Sequence, residues 1–320
     1  MVETFAESNA TTFVFASSVS VYDTFLSDEK SKKSVYIITE ETPIGQKAKE
    51  GYSHTKRLCE KLIKEYSARY TSKKFIITRI GPISGKKDRQ ILPNFITLLS
   101  LKGFPKLIGG GKDLFVITNP YDVARAQIFL ATHPQVKSGD QFNVSGGVIS
   151  YREIYNIVCD YFRFPRPVFS VSMELFLLFK PQLAKVKKLL PNNQFINQAL
   201  SESALGYIGK TYYYSTRKIQ KLGFQFIKSP QEGLNEGLLD ISKLEKYRFK
   251  QVGPFIVTYG IEFLEDRARE LDEALELLDF RVSKKVKQKK RKIKILLRTA
   301  ICLIIVLFLL ASQTAFILLL

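Results

Sequence analysis

The chain has 320 residues, 45% of them apolar, and a formal net charge of +19, so its length suits one large domain or two medium ones with an ordinary core. Three scattered cysteines (Cys59, Cys159 and Cys302) make neither a disulfide framework nor a metal cluster and fit a reducing compartment. Only two histidines occur, His54 and His133, and no Cys/His spacing accompanies either, which argues against structural zinc and histidine-based triads.

Residues 1–10 are acidic and lack a long apolar core, so they do not read as a secretory signal; they read as the last turns of a helix. Thr11–Ala16 is a β-branched and aromatic run, the mark of a buried strand. It ends in Ser17-Ser18-Val19-Ser20-Val21-Tyr22, with small hydroxyls at the strand's carboxyl end, where open α/β sheets place their ligands. Residues 27–50 are polar and broken by Thr42-Pro43, and read as a surface loop.

Gly51–Ile63 reads as an amphipathic helix, with Leu58 and Leu62 recurring among charged residues. Residues four apart share a helix face, which sets the Tyr52 hydroxyl beside the Lys56 ammonium. A free phenol, with a pKa of about 10, is a poor base at neutral pH. An ammonium a few ångströms away favours the phenolate and makes acid–base work accessible.

A strand ending in Ser-Ser-x-x-Val-Tyr, followed about thirty residues later by Tyr-x-x-x-Lys, resembles the extended short-chain dehydrogenase/reductase family. That family includes the NAD-dependent epimerase/dehydratases and the 3β-hydroxysteroid dehydrogenases. The resemblance implies an α/β fold, the C-terminal part of a Rossmann-like doubly wound parallel sheet with a small substrate domain, and NAD or NADP as cofactor. It makes Ser18 the residue that polarises the substrate oxygen and Tyr52 the catalytic acid/base. Lys56 becomes the partner of Tyr52 and a holder of the cofactor ribose. In the family the cofactor pyrophosphate sits on a glycine-rich turn well before the catalytic serine, and nothing before Thr11 corresponds to it. Leu107-Ile108-Gly109-Gly110-Gly111-Lys112-Asp113 is the one glycine-rich run, and a similar stretch in the family is a turn in the substrate-facing insertion. Three explanations stay open: sequence upstream, a partner that supplies the missing half, or a relic without cofactor.

Phe75–Ile80 is a second buried strand. It runs into Gly81-Pro82-Ile83-Ser84-Gly85, which looks like the family's segment beside the nicotinamide and carries Pro82 over as a cofactor contact; a plain turn is the other reading. Residues 91–105 have helical spacing. Phe115–Ala126 resembles the family's strand–loop–helix, with Asp122 at a helix N-cap. Gln141–Gly147 reads as a third core strand, and Ser150 caps a helix over Tyr151–Tyr161. Val168–Phe179 is nearly all apolar but too short to span a bilayer, which leaves a core helix or an interfacial element. Tyr212–Phe224 resembles a terminal family motif whose aromatic pair before Ser215 is common in the steroid branch.

Phe255–Phe280 has a helical pattern with interspersed charges. Nine cations between Lys284 and Arg298 then precede an uncharged stretch, 299–320. At about 1.5 Å per residue that stretch reaches roughly 33 Å, enough for a hydrocarbon core of about 30 Å. A transmembrane helix is expected there, with the catalytic body held in the cytoplasm by the cations before it. The basic run lacks the interleaved aromatics of a single-strand binder, so membrane rather than nucleic acid is the expected partner. The domains are therefore a truncated Rossmann-like catalytic domain (1–150), a substrate-binding subdomain (151–244), a connector helix (245–283), a polybasic segment (284–298) and an anchor (299–320). The expected function is oxidoreduction of a secondary alcohol or ketone on a lipid or sterol-like molecule, by a membrane-anchored enzyme for which a homodimer is allowed. Nucleotide-sugar epimerisation and a cofactor-less tethered binding module are the alternatives. Water elimination is disfavoured, because Val19 and Ser20 stand where a dehydratase of this kind carries an acidic pair.

Overall fold

The structure is a computed structural model, and it describes residues 1–22, 35–46, 51–88, 91–100, 107–163, 165–176, 208–242, 250–252 and 255–257. In chain order the elements are α1 (Val2–Glu7), β1 (Thr12–Ser18), a 3-10 turn (Val19–Tyr22), β2 (Val35–Ile38), α2 (Gly51–Arg69), β3 (Lys74–Ile80) and α3 (Ile91–Ser100). Then come β4 (Leu107–Ile108), a 3-10 turn (Gly109–Gly111), β5 (Leu114–Ile117), α4 (Pro120–Thr132), β6 (Gln141–Val144), β7 (Gly147–Ser150) and α5 (Tyr151–Phe162). The last are β8 (Ser170–Val171), β9 (Thr211–Tyr214), α6 (Arg217–Lys221), α7 (Pro230–Ser242), β10 (Lys250–Val252) and β11 (Phe255–Val257).

The centre is a parallel sheet in the order β1-β3-β6, with Thr12 opposite Lys74, Ser18 opposite Ile80, and Ile80 opposite Val144. β3 is the middle strand and is buried on both faces, as its Phe75-Ile76-Ile77 run anticipates, with Thr78 and Arg79 buried among the apolar residues. Side chains alternate across it. Phe75 and Ile77 pack with Phe5 of α1 and Ile63 of α2 on one face; Ile76 and Ile80 pack with Val123 and Leu130 of α4 on the other. Helices thus cover both faces. Among the described residues no strand pairs with the outer edge of β1.

A second core lies between α3, α5 and α7, where Leu92, Phe95, Ile154, Val158, Leu234 and Leu238 meet Ile117 of β5 and Ile149 of β7. β5 and β7 pair antiparallel, apart from the parallel sheet. Ser150 closes a capping box with Glu153 at the start of α5, as its sequence signals.

Four expectations are corrected. Within the stretch read as a loop, Val35–Ile38 is a strand, pairing in parallel with Thr211–Tyr214; its Val-Tyr-Ile-Ile composition is a strand signal inside polar surroundings. Asp122 does not cap α4. Asn119 does, accepting from the Tyr121 amide, and buried Asp122 binds the Ile227 and Lys228 amides and Arg125. Phe255–Val257, expected to begin a helix, is a strand paired with β10. Leu58 and Leu62 do not face the core but stand 54% and 41% exposed. No helix among the described residues is long and apolar enough to cross a membrane, and 284–320, with the expected anchor, lies outside them.

Truncating Phe142, 1% exposed on β6, is expected to cost about 3–5 kcal/mol, read as the loss of unfolding free energy of Phe142→Ala in a urea titration.

Candidate functional site

The carboxyl ends of β1, β3 and β6 form one edge, carrying Ser18, Gly81-Pro82 and Ser145. Parallel strands bring such ends together because all run the same way, and this edge is where open α/β folds hold ligands. Gly81 is required by close approach: a Cβ there would stand 2.9 Å from Thr118 Oγ1 and 3.0 Å from Ser145 Oγ. Pro82 passes its carbonyl to the Thr118 amide at 2.7 Å, which ties the loop after β3 to the end of β5.

Tyr52 and Lys56 lie in the first turns of α2, beside this edge. The Lys56 ammonium donates to the Ala16 carbonyl at 2.7 Å, two residues before Ser18. It also stands 5.6 Å from the Tyr52 ring centre and 5.1 Å from the Phe15 ring centre. The structure therefore brings Tyr52 and Lys56 together and fastens them to the end of β1. Ser18 Oγ accepts from the Ser20 amide at 3.2 Å. No hydrogen bond joins Ser18 to Tyr52, and the Tyr52 side chain is largely exposed. A hollow of about 840 Å³ between the loop after β3 and the start of α4 is lined by Lys86, Lys87, Tyr121 and Lys228, among others, and by none of Ser18, Tyr52, Lys56 or Pro82.

Behind the edge runs a buried polar network that reasoning from sequence missed. Arg79, on the α2 face of β3, makes a two-pronged bond to Glu60, Nε to Oε1 at 3.1 Å and Nη2 to Oε2 at 2.8 Å, with both residues 1% exposed. Ser17 Oγ donates to Glu60 Oε1 at 2.6 Å. Arg79 Nη1 donates to the Tyr22 hydroxyl at 2.9 Å, and that hydroxyl donates to Asn143 Oδ1 at 2.8 Å. The Asn143 amide in turn donates to Glu40 Oε1 at 2.8 Å. Burial pulls the Arg79 guanidinium down, but the Glu60 carboxylate outweighs it and holds Arg79 above its usual value. Burial raises Tyr22, with Arg79 pulling the other way, and burial raises Glu40 against the Asn143 amide. The signal for the network was legible: Tyr52, Lys56 and Glu60 follow one another at intervals of four and so share one helix face.

Which part of a dinucleotide would these residues suit? At the carboxyl edge the buried hydroxyls of Ser20 and Ser145 have no hydrogen-bond partner among the described residues, as a polar ligand edge would show. Gly109–Gly111 offers no phosphate cradle. Its glycines have φ of +58°, +74° and +68°, but the Gly110 carbonyl is taken by Arg152 Nε and the Gly110 amide by Ser170 Oγ. The described residues thus present unpartnered hydroxyls at the carboxyl edge and include no phosphate-binding turn.

A parallel sheet covered by helices on both faces, with a Tyr-x-x-x-Lys helix fastened to its carboxyl edge, defines a Rossmann-like α/β fold. Residues 1–145 match the NAD dependent epimerase/dehydratase family. Solved structures show the same fold at low identity. UDP-glucuronic acid 4-epimerase from Bacillus cereus, in complex with NAD, is 14% identical with a TM-score of 0.52, covering 76% of this chain and 65% of that one. MoeE5, in complex with UDP-glucose and NAD, is 18% identical with a TM-score of 0.51, covering 76% and 68%. The dTDP-glucose 4,6-dehydratase of Bacillus anthracis, in complex with NAD, is 16% identical with a TM-score of 0.51, covering 77% and 66%. The chain thus spans about two thirds of the length of these structures. No curated protein matches the sequence.

Glu40 gives the network a pH signature. An acid whose folded pKa is raised holds its proton longer in the native state, so its contribution to stability is present at low pH and lost as pH rises through the folded value. Glu40→Gln keeps an oxygen for the Asn143 amide and has no proton to lose. Its thermal midpoint is expected to exceed that of the wild type increasingly as pH rises above the ordinary carboxylate range, with the difference closing below it.

Proposed function

We propose that the chain carries the acid–base half of an NAD(P)-dependent oxidoreductase acting on a secondary alcohol or its ketone. The observation that carries this is the Tyr52–Lys56 couple fastened through the Ala16 carbonyl to the strand end that bears Ser18. In this reading the Tyr52 phenolate, favoured by the Lys56 ammonium, takes the hydroxyl proton of the alcohol and becomes the phenol, while Ser18 donates a hydrogen bond to the same oxygen. Bound NAD or NADP supplies hydride acceptance. Lys56 would hold the ribose, and Pro82 would contact the nicotinamide. The phosphates need an element beyond the described residues.

The substrate we propose is a lipid or sterol-like alcohol. Support comes from the uncharged stretch 299–320 behind the cations of 284–298, which would concentrate the enzyme on a cytoplasmic membrane surface. Val168 and Phe169, 83% and 81% exposed at the start of an apolar run, add an apolar approach. Nucleotide-sugar epimerisation is the second reading, favoured by the match over residues 1–145 and by the ligands of the solved relatives.

The test uses purified full chain with NAD or NADP and a panel of hydrophobic secondary alcohols and UDP- and dTDP-sugars. Nicotinamide reduction with an alcohol is expected, and Tyr52→Phe is expected to lower kcat by roughly 10²–10⁴-fold. Turnover of the sugars alone would replace the alcohol reading with the epimerase one. A calorimetric titration without NAD or NADP binding would overturn the oxidoreductase reading and leave a tethered binding module.

A further inference from the structure

The inner face of α2 is unusual for a helix packed on a sheet. Over its length Gly51–Arg69 it buries Ser53, Glu60 and Ile63, while Leu58 and Leu62 look outward. Apolar packing is non-directional, and buried Ile63 with the partly buried Tyr66 packed in the same cluster does not by itself define a rotation about the helix axis. The polar contacts do. Glu60 is held at both oxygens, by Ser17 of β1 and by Arg79 of β3, and Lys56, one turn earlier, is held by the Ala16 carbonyl. Bonds to ionised partners are short and directional, and the guanidinium–carboxylate fork fixes a plane as well as a distance.

We propose that Glu60 is a positioning residue: clamped between Ser17 and Arg79, it sets the roll of α2 and so the placement of Tyr52 and Lys56 at the carboxyl edge. Side-chain ends lie roughly 5–6 Å from a helix axis, so a roll of about 20° moves them by about 2 Å. A displacement of about 1 Å can cost on the order of a hundredfold in rate. The inference rests on the oxidoreductase reading for its catalytic consequence, but the placement of Lys56 can be measured without it.

Removing one partner would strand a buried charge and confuse positioning with folding. The double variant Glu60→Met/Arg79→Met removes both charges, an exchange that buried pairs tolerate with little or no loss of stability. The experiment treats full-length wild type and variant with limiting acetic anhydride and measures acetylation of each lysine by mass spectrometry, beside the thermal midpoint. Lys73, whose ammonium bonds the Phe5 and Ala10 carbonyls, is the internal control. The expected result is a several-fold rise in Lys56 acetylation with Lys73 unchanged and the midpoint lowered only slightly, by the lost acceptor of the Ser17 hydroxyl. An unchanged Lys56 overturns the proposal. So does a rise at both lysines with a fallen midpoint, which marks a merely structural pair. Should the double variant not fold, Ser17→Ala removes one bond of the clamp and leaves the ion pair. A selective rise at Lys56 then supports positioning, and none refutes it. With the turnover assay above, kcat is expected to fall by about tenfold or more with KM nearly unchanged. A wild type that turns over nothing sinks the oxidoreductase reading, while the acetylation result still decides this one.

Discussion

The Glu60–Arg79 pair is the contact on which the arrangement of this protein turns. Two opposite charges, both buried, face each other between a helix and the middle strand of a sheet, where a Leu or Ile would ordinarily sit. Taking them out of water carries a large desolvation cost, which only good geometry and further hydrogen bonds offset. Here that compensation is present: Ser17, Tyr22 and Gln141 satisfy what the two groups do not give each other. Such a pair adds little net stability relative to a well-packed apolar alternative. What it adds is a single allowed placement of α2 over β1 and β3.

The sheet supplies what the pair needs. Parallel strands expose their carboxyl ends together, and side chains alternate along each strand. Phe13 and Phe15 pack with Phe5, Ile63 and Phe75 on the α2 side, whereas Val14 packs in the α4 cluster. By the same alternation Ser17 points to the α2 side, where it meets Glu60. On β3, Arg79 shares its face with Phe75 and Ile77, so its charge arrives at the same level. The network is therefore a consequence of register: Ser17 lies opposite Arg79 in the β1–β3 ladder.

The main strands and the helix of Tyr52 and Lys56 were legible because their signals are local. Thr11–Ala16 and Phe75–Ile80 are β-branched and aromatic stretches of strand length, Gln141–Gly147 sets Phe142 and Val144 in alternation with polar residues, and the Ser150/Glu153 box is a cap with a mechanism. The errors have physical causes too. Leu58 and Leu62 follow helical spacing, but spacing shows only that two residues share a face; here the buried face carries Ser53 and Glu60 beside Ile63, because Arg79 waits beneath it. Asp122 has the chemistry of a cap, yet a carboxylate can serve any free amide, and those of Ile227 and Lys228 lie 105 and 106 residues away in sequence. Val35–Ile38 became a strand through a partner, Thr211–Tyr214, still more remote. Ser18, Tyr52 and Lys56 could be named from a motif. Their placement could not, since it depends on Ser17, Glu60 and Arg79 meeting from three separate segments.

One strand end then does three things at successive residues. The Ala16 carbonyl holds the Lys56 ammonium, the Ser17 hydroxyl holds Glu60, and Ser18 begins the 3-10 turn with its hydroxyl turned to the Ser20 amide. Backbone and side chain contribute together because alternation sends Ser17 and Ser18 to opposite faces while every carbonyl lies in the plane of the sheet. The Ala16 carbonyl is open to Lys56 because no strand among the described residues pairs with that edge of β1. An ammonium bound there is held by the sheet's own hydrogen-bonding capacity, so Lys56 needs no acidic side chain to fix it in place. The backbone of a single strand end thus sets where the Lys56 ammonium stands beside the Tyr52 ring.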